Sequence, residues 1–151
     1  MNDNISDNRF PAEVLLVDDN ESDALLIRRS LKQSTFAINF HHVENGLECM
    51  GYLRNEGHYT DVPTPDLILL DLNMPLMNDI EVLAEIIKDD KLNHLPVVVL
   101  TTSEDNNDVL SSYKLRCNSF ITKPVDFIEL SELLQKVCAY WFTVVTLPMS
   151  D

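Results

Sequence analysis

Residues 67–75 read LILLDLNMP: four apolar residues run straight into a carboxylate, and a proline closes the segment. Taken alone, Asp71 reads as a helix cap or a turn residue, the ordinary role of an aspartate behind a strand. A second run, PVVVL at 96–100, is apolar at nearly every position. Such continuity suits a parallel strand covered on both faces. The same layout of apolar run, then polar residue, recurs elsewhere in the chain.

Working outward from 67–75, short β-rich runs alternate with helical patterns. Glu13–Val17 (EVLLV) reads as a first strand. A helix over 21–33 follows, with Ala24, Ile27 and Leu31 on one stripe and Asn20 as its N-cap. INFHHV at 38–43 is a weaker second strand, and 46–55 a helix that Gly57 ends. The polar linker HYTDVPTP leads into the third strand, DLILL. A helix over 80–89 carries Ile80, Leu83, Ala84 and Ile87 on one stripe. After PVVVL come a helix over 105–115, the strand NSFIT and a last helix over 126–141. Five strands alternating with five helices imply an α/β fold, an open parallel sheet wound on both sides.

Composition bounds the function. At 151 residues the chain holds one domain. We read 1–11 as a flexible N-terminal segment, 12–142 as the folded domain and 143–151 as a C-terminal extension. No apolar run reaches the roughly 18 residues of a membrane span, and the polar N-terminus lacks the pattern of a secretory signal. Eleven Lys and Arg against 25 Asp and Glu leave a net charge of −14, which argues against nucleic acid or anionic membranes as partners. Cys49, Cys117 and Cys138 match no zinc or redox spacing and read as reduced, buried thiols of a cytoplasmic protein.

In open parallel sheets, ligands bind beyond the carboxyl ends of the strands, where strand order reverses. The first strand ends in Asp18 and Asp19, the third in Asp71, the fourth in Thr101, and the fifth in Lys123 followed by Pro124. The second ends in VENG and offers less. With strand order 2-1-3-4-5, three carboxylates crowd one crevice. Two carboxylates about 4 Å apart repel by roughly 4 kcal/mol at an effective dielectric near 20, so a proton or a cation is required. An all-oxygen site suits Mg²⁺ (or Mn²⁺) better than zinc. A carboxylate can attack phosphorus, with a metal and a lysine neutralising the phosphoryl oxygens and a threonine hydroxyl donating to another. Each residue alone has a blander reading: Asp18 or Asp19 a cap, Thr101 a strand residue, Lys123 a solvated charge. The joint pattern in chain order is what those readings leave unexplained.

VLLVDDNE, LILLDLNMP, VVVLTTS and FITKP together resemble the receiver domains of two-component response regulators. The likeness covers roughly residues 12 to 140, with 30 residues from Asp71 to Thr101 and 22 from Thr101 to Lys123. It implies a flavodoxin-like (βα)5 fold. It implies a signalling domain that catalyses only its own phosphoryl transfer and dephosphorylation. Asp71 would be the phosphoacceptor, charged by a sensor histidine kinase. Asp19, Asp71 and the backbone carbonyl of Asn73 would ligate Mg²⁺, with Asp18 acting through a water. Lys123 would pair with the carboxylate and then the phosphate, while Thr101 and Phe120 form the switch. The linker HYTDVPTP and the tail AYWFTVVTLP look like those of small regulators serving cyanobacterial phytochromes. That likeness implies a phytochrome-type kinase and a homodimer formed through the C-terminal face around Tyr140, Trp141 and Phe142.

Three positions depart from the family pattern. Asp79, preceded by Asn78, stands where receivers usually have glycine; Thr102 replaces a smaller residue; Phe120 stands where tyrosine is frequent. None removes a group that the chemistry requires. The alternative within reach of the same residues is a Mg²⁺-dependent aspartate-nucleophile phosphatase, but its acids are spaced Asp-x-Asp, whereas Asp18 and Asp19 are adjacent. A flavodoxin-like nucleotide binder would need a phosphate loop of small residues, and DDNES puts carboxylates there.

Overall fold

Five parallel strands, β1 (Ala12–Val17), β2 (Ile38–Val43), β3 (Leu67–Asp71), β4 (Val97–Thr101) and β5 (Ser119–Thr122), form one sheet in the order β2-β1-β3-β4-β5. The computed structural model describes residues 11–34, 36–71, 79–101, 113–114, 117, 119–124 and 126–144. Among them are four α-helices: α1 (Glu21–Lys32), α2 (Gly46–Leu53), α3 (Asp79–Lys88) and α4 (Phe127–Ala139). The helix expected over 105–115 falls outside the described residues except for Tyr113 and Lys114, which are helical.

The side-chain period of two sends alternate strand residues to opposite faces. Leu15, Val17, Ile68, Leu70, Val97 and Val99 pack with α2 and α3. Val14, Leu16, Leu67, Leu69, Val98 and Leu100 pack with α1 and α4. This two-sided burial is why β1, β3 and β4 are apolar without alternation. Each fully buried leucine or isoleucine there stabilises the fold by roughly 1.5–3 kcal/mol relative to exposure. The register aligns the strand ends at one rim: Val17 lies beside Leu70, Asp71 beside Leu100, and Thr101 beside Thr122.

The helices begin where side-chain caps are available. The Asn20 carboxamide oxygen accepts the Asp23 N–H, Asn45 accepts from Glu48, and Asp126 accepts from Glu129. Ala24, Ile27 and Leu31 are buried on α1 as expected. Two helix expectations need correction. The buried face of α3 is Val82, Leu83 and Ile86, while Ile80, Ala84 and Ile87 are half-buried. The segment IEVLA-EII is apolar on two overlapping stripes, and the sheet takes the one centred one residue earlier. Helix α2 ends at Leu53 rather than 55, and Asn55 takes the left-handed conformation (φ 55°) that closes it. Gly57, also at positive φ, instead opens a 3-10 turn over Gly57–Tyr59.

At the opposite end of the sheet from the strand tips, Glu13 anchors a small polar cluster. Its carboxylate accepts from His41 Nε2 at 2.7 Å and from the Asn39 amide at 2.9 Å. Its backbone N–H donates to Asp66 at 2.8 Å, and its carbonyl accepts the Asp66 N–H at 2.7 Å.

After α4 the chain continues in a π-helical turn, Tyr140–Val144. Of the three aromatics expected to form an outward interface, Phe142 is buried, with its ring edge-on to Phe36 at 6.1 Å. Trp141 is half-buried against the same core, and Tyr140 alone is exposed. Helical spacing cannot turn three adjacent rings the same way, so Phe142 is taken by the domain's own core. All three cysteines are free and buried.

Candidate functional site

β1 delivers Asp18 to the rim and the surrounding chain immobilises it. Its N–H donates to the Val43 carbonyl, its carbonyl accepts from His42 Nε2 at 2.7 Å, and its Oδ1 accepts the Asn20 N–H at 2.9 Å. Its Oδ2 is left buried without a hydrogen-bond partner. An unsatisfied buried carboxylate oxygen is costly, and it marks a place where a ligand would complete the structure. Asp19, next along, is exposed.

Asp71 arrives on the neighbouring strand β3. Carboxylate oxygens of Asp18, Asp19 and Asp71 lie within 4.8 Å of one another. Lys123, just beyond β5 and 8% exposed, faces them: its Nζ is 3.5 Å from Asp71 Oδ1 and 3.7 Å from Asp18 Oδ2. A fourth carboxylate, Asp23 on α1, is nearer still, at 3.2 Å.

Among the described residues, charge does not balance at this rim: three carboxylates pair with one ammonium and a fourth, Asp19, lies beside them. Burial pushes the Asp71 carboxyl up to about 7, with Asp18 and Asp19 adding to the rise and Lys123 opposing it. Burial likewise raises Asp18, against the pull of the Asn20 N–H and Lys123. Burial alone would lower Lys123, but Asp71, Asp18 and Asp23 together hold its pKa above the usual value. The site is thus deficient in positive charge. Its all-oxygen donors and the orphaned Asp18 oxygen fit a hard divalent cation such as Mg²⁺ or Mn²⁺.

The backbone of Thr101 ends β4 on the same rim, but its hydroxyl, like Asn73, Asn78, Thr102 and the Asp79 side chain, lies outside the described residues. Phe120 sits on β5, half-buried against the core. Its N–H donates to the Tyr113 hydroxyl at 3.2 Å, a contact to an exposed tyrosine.

Three contributors were not singled out from sequence. His42 comes from the second strand, which looked uninformative, and holds the Asp18 carbonyl. Tyr113 was one residue in a helical pattern. Asp23 is an acid in the first turn of α1. Its position, three residues after the capping Asn20, was the available signal, since a capped first turn leans over the preceding strand's end.

The chain matches the response regulator receiver domain over residues 14–135. It is 41% identical over 138 residues to response regulator Rcp1 of Synechocystis sp., covering 91% of this chain and 94% of that protein. The phosphorylated cyanobacterial phytochrome response regulator RcpA superposes with a TM-score of 0.87 at 42% identity, over 91% of this chain and 98% of that one. The Mn²⁺-bound form of Rcp1 gives 0.85 at 41% identity, over 91% and 99%. With the sheet order, the acidic rim and its lysine already in place, these matches decide the family: the chain belongs to the response regulator receiver domains.

Proposed function

We propose that Asp71 is the phosphoacceptor of a Mg²⁺-dependent signalling switch. The observation that carries this reading is the meeting of Asp71 with Asp18 and Asp19 on one side and Lys123 on the other. An Asp71 carboxylate oxygen attacks the phosphorus of a phosphohistidine. The P–N bond breaks, and its electron pair goes to the imidazole nitrogen, which takes a proton from water. Asp19, Asp71 and the Asn73 carbonyl would hold the cation, with Asp18 acting through a water. When bound, the cation neutralises phosphoryl oxygens. Lys123 moves from pairing with the carboxylate to pairing with the phosphoryl group. Thr101 donates its hydroxyl to a further oxygen, and Phe120 follows inward as the aromatic switch. The Tyr113 contact gives that movement a route to an exposed side chain. The protein acts on itself alone, transferring and losing one phosphoryl group.

The donor we propose is a sensor histidine kinase of phytochrome type, a reading supported by the likeness to Rcp1 and RcpA. A homodimer would use the C-terminal face through exposed Tyr140 and half-buried Trp141. The buried free thiols fit a reducing cytoplasm, and no described helix is long and apolar enough to cross a membrane. The charge of −14 disfavours nucleic acid and anionic lipid.

The test is incubation with acetyl phosphate and Mg²⁺, read by intact mass. One phosphoryl group should be gained, lost again in hydroxylamine, and absent without the metal. Equal modification of Asp71→Asn would defeat the assignment.

A further inference from the structure

We propose that Asp23 is a positioning residue for the phosphoryl transfer, holding the Lys123 ammonium at the centre of the pocket. The proposal rests on Asp71 being the phosphoacceptor, as above.

The geometry is a closed ring of contacts. Asp18 Oδ1 accepts the Asn20 N–H at 2.9 Å, Asn20 Oδ1 accepts the Asp23 N–H at 3.0 Å, and Asp23 Oδ2 accepts from Lys123 Nζ at 3.2 Å. Lys123 Nζ then returns to Asp18 Oδ2 at 3.7 Å. The cap that starts α1 holds the Asp23 backbone, and from there its partly exposed carboxylate reaches the Lys123 ammonium. It is not one of the three carboxylates that draw together as a cation site.

A lysine ammonium has three N–H donors, and here it meets three carboxylates, Asp18, Asp71 and Asp23, at 3.7, 3.5 and 3.2 Å. Without Asp23, nothing described draws the ammonium outward, and it moves onto Asp18 and Asp71. That move has two costs for the reaction. The charge of the attacking Asp71 oxygen becomes more fully paired, which weakens it as a nucleophile. The ammonium also leaves the place where it meets the incoming phosphoryl oxygens. Displacement of such a group by about an ångström is enough to slow a reaction substantially.

The experiment compares the full-length protein with Asp23→Ala and Asp23→Asn, using acetyl phosphate and saturating Mg²⁺. Asparagine keeps an acceptor oxygen in the same place. We expect Asp23→Ala to be phosphorylated about tenfold more slowly, with Asp23→Asn recovering most of the loss. Mg²⁺ affinity by calorimetry and the melting temperature should stay near those of the unaltered protein. An Asp23→Ala rate equal to the original would overturn the proposal. So would a slow variant whose Mg²⁺ affinity had fallen in step, or an Asp23→Asn as slow as the alanine. The reading of Asp71 fails separately, if Asp71→Asn accepts the phosphoryl group.

Discussion

The two ends of the sheet treat a carboxylate in opposite ways. Near the start of β1, Glu13 has both oxygens engaged, one by His41 and one by Asn39, and its backbone is closed off by Asp66. At the strand tips, Asp18 keeps an oxygen without a hydrogen bond, 3.7 Å from the Lys123 ammonium, and Asp71 is pushed up to about 7. Both ends are polar and partly buried, and each offers a cationic or potentially cationic residue. The difference is satisfaction. A satisfied cluster has nothing left to bind and contributes to the fold. A cluster with more negative charge than its one described lysine can answer is incomplete until a cation or a proton arrives.

Four measurements press on that contrast. The largest effect belongs to Asp71→Asn, which should abolish acyl phosphate formation, because the amide cannot act as the nucleophile. Next, Asp18→Asn should weaken divalent-cation binding by about 10–100-fold, measured by calorimetry, since a neutral amide replaces the buried carboxylate beside the ligands. Third is pH. Asp71 holds its proton up to about 7 when folded, against 3.8 as the ordinary value. Between those values the folded chain binds more protons than the unfolded one, so its stability falls as pH rises. The metal-free protein should lose about 1–3 kcal/mol in denaturant melts from pH 4.5 to 7.5, and saturating Mg²⁺ should flatten that slope. The smallest effect is at the other end: Glu13→Gln should cost at most about 1 kcal/mol, seen as a small fall in melting temperature, with the phosphorylation rate unaltered. A large loss of phosphorylation there would erase the contrast.

The doubly wound parallel sheet was legible from the alternation of strands and helices and from the unbroken apolar run of β4, which two-sided burial requires. The order 2-1-3-4-5 was a supposition that the structure bears out. Asp18, Asp19, Asp71 and Lys123 were legible because each ends a strand, and the alignment of strand ends then brings them together. The face of α3 was not legible, since six of its ten residues are apolar and two stripes compete. Asn55 was missed in favour of Gly57 because glycine is the commoner left-handed residue, although asparagine tolerates that conformation. Asp23 and His42 could not be seen because their roles depend on which atoms the first helix turn and the edge strand bring over the rim. That is a matter of three-dimensional reach, without a spacing rule in one chain.

Lys123 and Asp23 are separated by 100 residues, and Gln135 donates to the Ser30 carbonyl across 105. Contacts of such range form after much of the chain has already been ordered. During synthesis, β1 and its aspartates emerge long before the lysine that answers them. An unfinished chain therefore carries the carboxylates without their ammonium. The acidic rim gains its lysine only once the last strand has docked, so on the function proposed above the phosphorylation rate would double as a readout of the completed fold.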